Sequence, residues 1–153
     1  MRRRRLHATA LAVALVAAFS VTGVASATPP TAVTITGTFT EATDEGTFSG
    51  ATAPLCPEGT TVDLAGLAGG FQSNRLIQLR VLKEFTCADG SGTFTMLLRV
   101  HITFVPEFDN TFTWTVVGGT GNWTTLRGSG SGSAVEEFGV GGTDTYVGAV
   151  HLD

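Results

Sequence analysis

Residues 76–105 read LIQLRVLKEFTCADGSGTFTMLLRVHITFV. Two long runs, Leu76 to Cys87 and Thr93 to Val105, flank Ala88-Asp89-Gly90-Ser91. In the second run Phe94, Met96, Leu98, Val100, Ile102 and Phe104 share one side. Thr93, Thr95, Leu97, Arg99, His101 and Thr103 share the other. Alternation of this kind marks an extended strand, because successive side chains point to opposite faces. Asp-Gly between two such runs suits a two-residue hairpin turn, whose central residues both need positive φ. That turn places Ala88 opposite Ser91, Phe85 opposite Phe94, Arg80 opposite Arg99 and Gln78 opposite His101. The apolar side continues through Ile77, Leu79, Val81 and Phe85 before the turn, and through Phe112, Trp114 and Val116 after it.

Outward from this hairpin the same pattern repeats. Strands are expected near residues 33–40, 47–53, 61–67, 111–117, 125–135 and 143–152. Turn and loop chemistry separates them: Asp44-Glu45-Gly46, the Pro54 to Gly59 segment, Gly69-Gly70, Pro106 to Asn110, Gly118 to Gly121, and Gly139 to Gly142. The Gly/Ser run from Gly128 to Ser133 has the composition of a linker, but it lies between strand signals and reads as a glycine-rich, bent barrel strand. No helical period appears after the leader. The pattern predicts an all-β fold, a single antiparallel eight-stranded barrel. The alternative is an immunoglobulin-like β-sandwich, whose usual signature places a tryptophan between two cysteines. Trp114 and Trp123 both follow Cys56 and Cys87.

The two ends of the chain differ in character. Arg2 to Arg5, an apolar stretch from about Ala8 to Phe19, and Ala25-Ser26-Ala27 form the three parts of a secretory signal peptide, residues 1–27. A short tail over 28–32, with Pro29-Pro30, precedes a β-barrel domain over 33–153. Without the leader the basic residues are Arg75, Arg80, Lys83, Arg99 and Arg127 against thirteen acidic ones, a net charge of −8. An acidic body excludes nucleic acid as a natural partner, and cleavage of the leader leaves no membrane-spanning stretch. With 42% apolar residues the chain is not of the disordered class. The leader implies a secreted, extracellular protein, and in an oxidising compartment Cys56 and Cys87 are expected to form a disulfide. Closing that loop is worth about 3–4 kcal/mol in the chain-entropy model. No C-x-x-C or histidine cluster suggests a metal, and no motif calls for a cofactor.

The polar side of the central hairpin carries the candidate ligand-binding residues, Arg80, Arg99 and His101. Like charges directly opposed are destabilising unless both reach water or an anion sits between them. The trio therefore suggests a site for an anionic or carbonyl-bearing ligand, with Glu84 offsetting part of the charge and Thr115 beside His101. The pattern leaves open which face points inward. If Arg99 points inward, the apolar side needs a cover, most simply a second subunit in a homo-oligomer. Glu136-Glu137 reads as a solvated turn or edge, and Asn122-Trp123-Thr124 matches a glycosylation sequon.

The run from Val116 to Gly128, VVGGTGNWTTLRG, resembles a motif of the allene oxide cyclase and dirigent β-barrel families. There a strand ends in V-V-G-G-T-G, followed by an aromatic residue and then R-G. Gly118, Gly119, Gly121, Trp123, Arg127 and Gly128 occupy those places here. The resemblance implies an eight-stranded antiparallel barrel, often trimeric, with an internal cavity for small hydrophobic molecules. Three functions are then in view. The first is a small-molecule-binding module with a barrel cavity of a few hundred Å3. The second is a cyclase, isomerase or dirigent-like enzyme with a perturbed ionisable group in that cavity, its catalytic residues unknown. The third is an extracellular structural or interaction domain with a filled barrel.

Overall fold

The computed structural model describes residues 29–67, 73, 76–104, 108–137 and 139–153. The expected leader over 1–27, the Gly69-Gly70 loop and Pro106 lie outside the described residues. Eight strands follow one another: β1 Thr31–Thr40, β2 Glu45–Ser49, β3 Glu58–Leu67, β4 Leu76–Cys87, β5 Thr93–Thr103, β6 Asp109–Gly119, β7 Leu126–Glu137 and β8 Gly141–Leu152. A single 3-10 turn, Gly121–Trp123, joins β6 to β7. Every strand pairs antiparallel with its sequence neighbour, and β8 returns to pair with β1, which closes the barrel. The barrel expectation holds, and the sandwich alternative falls because all eight strands form one closed sheet. Closure gives every described strand a neighbour on both sides, although β2 covers only Thr36 to Thr40 of β1.

The central hairpin has the expected register, with Arg80 opposite Arg99 and Gln78 opposite His101. Its turn differs. Cys87 still pairs through its N–H with the Gly92 carbonyl, so four residues form the loop rather than two. Asp89 does not take positive φ. Its carboxylate accepts from the Ser91 N–H at 2.9 Å, while Gly90 supplies the left-handed residue at φ 74. A four-residue loop centred on the same point leaves the register unchanged. The Asp44-Glu45-Gly46 turn also shifts: the turn is residues 41–44 with Asp44 at φ 55, and Glu45 and Gly46 already belong to β2. Because β6 starts at Asp109, His101 lies opposite Thr111, and Thr115 lies opposite Leu97 rather than beside His101.

The alternating apolar residues face inward. Val33, Ile35, Phe48, Phe85, Phe94, Met96, Trp114, Tyr146 and Val150 are almost wholly buried, each worth roughly 1.5–3 kcal/mol for a side chain of this size removed from water. At the end of the barrel near the disulfide the rings interlock. Phe85 stacks on Phe94 at 4.8 Å, and Phe48 meets both edge-on. Cys56 and Cys87 are bonded and buried there, tying the segment before β3 to the end of β4.

The glycine-rich strand is explained by the rings opposite it. Trp114 of β6 lies next to Gly130 of β7, which pairs with Gly148 of β8. A Cβ added at Gly130 or Gly148 would come within 2.6 or 2.4 Å of the Trp114 ring. At Gly132 a Cβ would lie 2.3 Å from the Phe112 ring. The alternating serines, Ser129, Ser131 and Ser133, face outward. An interior of fixed diameter must trade volume between neighbours, and here small residues on β7 and β8 make room for an indole whose N–H is satisfied by the Ser131 carbonyl at 3.1 Å. Gly148→Ala is therefore expected to destabilise the fold by about 1–3 kcal/mol through overpacking, measured by urea unfolding. A Cβ there would also lie 2.4 Å from the Ser129 carbonyl, so an unchanged midpoint would show that neither the Trp114 ring nor the β7 backbone is tightly packed against Gly148.

Candidate functional site

The barrel is not filled along its whole length. Above the aromatic end a cavity of about 120 Å3 remains. Its apolar wall comes from β4, β5 and β6, through Leu79, Val81, Leu98, Val100, Ile102 and Phe112. Its polar side comes from Asp63 of β3, Lys83 of β4, Asn110 of β6, Glu136 of β7 and Asp144 of β8. Lys83 follows Leu79 and Val81 on the inward face of β4 and precedes Phe85, so the strand's alternation carries its ammonium into the barrel. It is the only lysine in the chain, and it is 5% exposed.

A buried ammonium needs opposite charge beside it. Lys83 Nζ donates to Asp144 Oδ2 at 3.3 Å and lies 3.3 Å from Asp63 Oδ1, an ion pair without an aligned hydrogen bond. Asp63 stands directly opposite Lys83 in the β3–β4 ladder. The ammonium also lies 5.4 Å from the centre of the Phe39 ring, within cation–π range. Tyr146 donates its hydroxyl to Asp144 Oδ2 at 2.8 Å. Burial, followed by the Asp144 charge, pushes the Tyr146 phenol well above its ordinary value, so it remains a donor.

Two carboxyls at the cavity are shifted upward. Burial raises Asp63, although Lys83 offsets part of the effect, and Asp44 and Asp144 add to it. Burial likewise raises Glu136, against the hydrogen bond it accepts from the Asn110 amide nitrogen, with Asp144 and Glu41 adding repulsion. Asn110 is itself 5% exposed, and its Oδ1 has no hydrogen-bond partner among the described residues.

The candidates read from the sequence lie elsewhere. Arg80, Arg99 and His101 stand together on the outer face of β4 and β5, all exposed, and they line no part of the cavity. The apolar face is enclosed by the barrel, so no second subunit is needed to cover it. Of the glycine motif, Trp123 is buried under the aromatic end, and Gly121 takes φ 58. Gly119 runs on as the last residue of β6, so the strand does not break at Gly118. Arg127 is exposed and pairs with Asp153 at 3.5 Å. Glu136 departs from the solvated edge expected for Glu136-Glu137: alternation sends Glu137 to solvent and Glu136 into the barrel mouth.

The charged cluster carries a signal in the sequence that the arginine pair outshines: residues 77, 79, 81 and 85 form one apolar face, and Lys83 occupies the remaining odd position. Asp144 likewise precedes Tyr146 and Val150 on one face of β8. Comparison of the chain with protein-family models, with curated proteins and with solved structures gives no match.

Two measurements follow. Lys83→Ala leaves the buried Asp144 and the partly buried Asp63 without their cation, and the expected loss is about 3–5 kcal/mol in urea unfolding. A loss below 1 kcal/mol would place Lys83 in water. For Glu136 the folded-state value lies above the unfolded one, so the folded state holds the proton more tightly. Its contribution to stability therefore falls as pH rises from the ordinary carboxyl range through the raised value. Glu136→Gln keeps an acceptor for Asn110 and removes the buried charge. The variant is expected to be more stable than the parent at pH 7, with the difference vanishing near about pH 3, below the ordinary carboxylate range. A variant less stable than the parent at pH 7 would contradict the sign.

Proposed function

We propose that the protein is an exported small-molecule-binding barrel, whose site is the cavity at the open end rather than the outer arginine face. The observation that carries this reading is a cavity of about 120 Å3 with an apolar wall and a buried amide oxygen that has no partner among the described residues. Apolar pockets with a few convergent polar groups are the usual form of a ligand site. The volume is below the few hundred Å3 expected from the sequence, because Trp114, Tyr146 and the phenylalanines fill the other end. It suits a ligand of one ring or a short chain. For scale, an engineered cavity of about 150 Å3 in another protein accepts benzene.

Export is supported by the leader in residues 1–27 and by the buried disulfide, a bond that persists in oxidising compartments. The Val116–Gly128 motif and the barrel topology together support a relationship to the allene oxide cyclase and dirigent families. The cyclase or isomerase reading has one observation in its favour, the upward-shifted carboxyls of Asp63 and Glu136 within the cavity. Groups perturbed in this way accompany acid–base chemistry, although structural charge pairs perturb them as well.

A fragment screen by protein-observed NMR tests the binding reading. Hits are expected to move the amide signals of Val100, Phe112 and Ala134. Ala134→Leu, which adds side-chain volume at the cavity wall, should weaken them at least about tenfold, the effect of roughly 1.4 kcal/mol. Arg80→Ala with Arg99→Ala should leave them unchanged. Hits confined to the arginine face would move the site back to Arg80, Arg99 and His101.

A further inference from the structure

The donor and acceptor inventory of the cavity is unbalanced. Asp63, Asp144 and Glu136 bring three carboxyls, and Lys83 is the one cation lining the space among the described residues. The Lys83 ammonium is engaged by Asp144 and Asp63, and the Tyr146 proton by Asp144. The Asn110 amide nitrogen is given to Glu136, which leaves Asn110 Oδ1 buried with no donor to accept from among the described residues. A buried acceptor of this kind in a native fold calls for a donor. With its carboxyls ionised the described site sets three negative charges against the positive charge of Lys83, and Glu136 has no ion-pair partner among the described residues.

Resting on the binding reading above, we infer that the cavity is a site for a small primary ammonium compound with an apolar body. Its three N–H donors match Asn110 Oδ1 and the carboxylate oxygens of Glu136 and Asp63, and its body lies against Val81, Val100, Ile102 and Phe112. An anionic ligand would meet three carboxyls. A purely apolar ligand would cover Asn110 Oδ1 without pairing it. A buried cation that completes a set of carboxylates gains charge-assisted hydrogen bonds in a low-dielectric space.

Three probes of nearly equal shape separate these cases: benzylamine, toluene and benzoate, titrated into the full-length exported protein at pH 7 and followed by NMR. Benzylamine is expected to bind about tenfold or more tightly than toluene, the worth of one hydrogen bond to a charged group, and benzoate more weakly than either. Benzylamine affinity should fall as pH is lowered through the carboxyl range, while toluene affinity does not. Among the described residues the groups facing the site that titrate or carry charge are Asp63, Lys83, Glu136, Asp144 and Tyr146, with Glu41 and Asp44 nearby. Glu136→Gln should lower the benzylamine-to-toluene affinity ratio at least about fivefold. The probe series on the unaltered protein decides the matter even if that variant folds poorly. Toluene or benzoate binding as tightly as benzylamine overturns the ammonium assignment and leaves the binding module standing. Binding of none of the three overturns both.

Discussion

A lysine ammonium enclosed in a β-barrel is the constraint on which this interior depends. Alternation along β4 leaves Lys83 no route outward, since its neighbours two residues away, Val81 and Phe85, belong to the inward face. Desolvating that charge is tolerable only with carboxylates in contact. The fold supplies them from the adjacent strand, through Asp63, and from across the interior, through Asp144, which Tyr146 braces. Lys83 also marks a boundary. Toward the disulfide the barrel is dry and packed with rings; beyond Lys83 it opens into a cavity with polar groups at its mouth.

The dry end rests on a complementary exchange of volume. Trp114 and Phe112 project from β6 into space that β7 and β8 vacate through Gly130, Gly132 and Gly148. The outward serines between those glycines keep β7 a strand with a polar exterior. The disulfide fixes the segment before β3 against the same end.

The central hairpin, the eight strands and the division of β5 into an apolar and a polar face were legible because period two is a strong signal over long strands, while the face that points inward was settled only by closure of the barrel. Its register was legible as well, even though the turn chemistry was not. A four-residue loop in which Asp89 caps Ser91 gives the same pairing as the two-residue turn. The site was much less legible. Arg80 and Arg99 attract attention because they oppose each other, but an exposed pair on a strand's outer face is solvated without a partner. Lys83, Asp63 and Asp144 lie far apart in sequence, and only closure of β8 onto β1 brings Asp144 to the lysine. Glu136 and Glu137 look alike in sequence, and alternation alone separates a buried carboxyl from a solvated one. A single charged residue on an otherwise apolar face is the signal that locates such a cluster.

Because Lys83 is the only lysine in the chain, its ammonium can be observed without ambiguity. Lysine side-chain 15N NMR of the folded protein near neutral pH tests the buried charge pair directly. A persistent, slowly exchanging Nζ signal, with contacts to the Phe39 ring, is the result this account predicts. An Nζ signal that exchanges as fast in the folded protein as in urea would place Lys83 in solvent and contradict it.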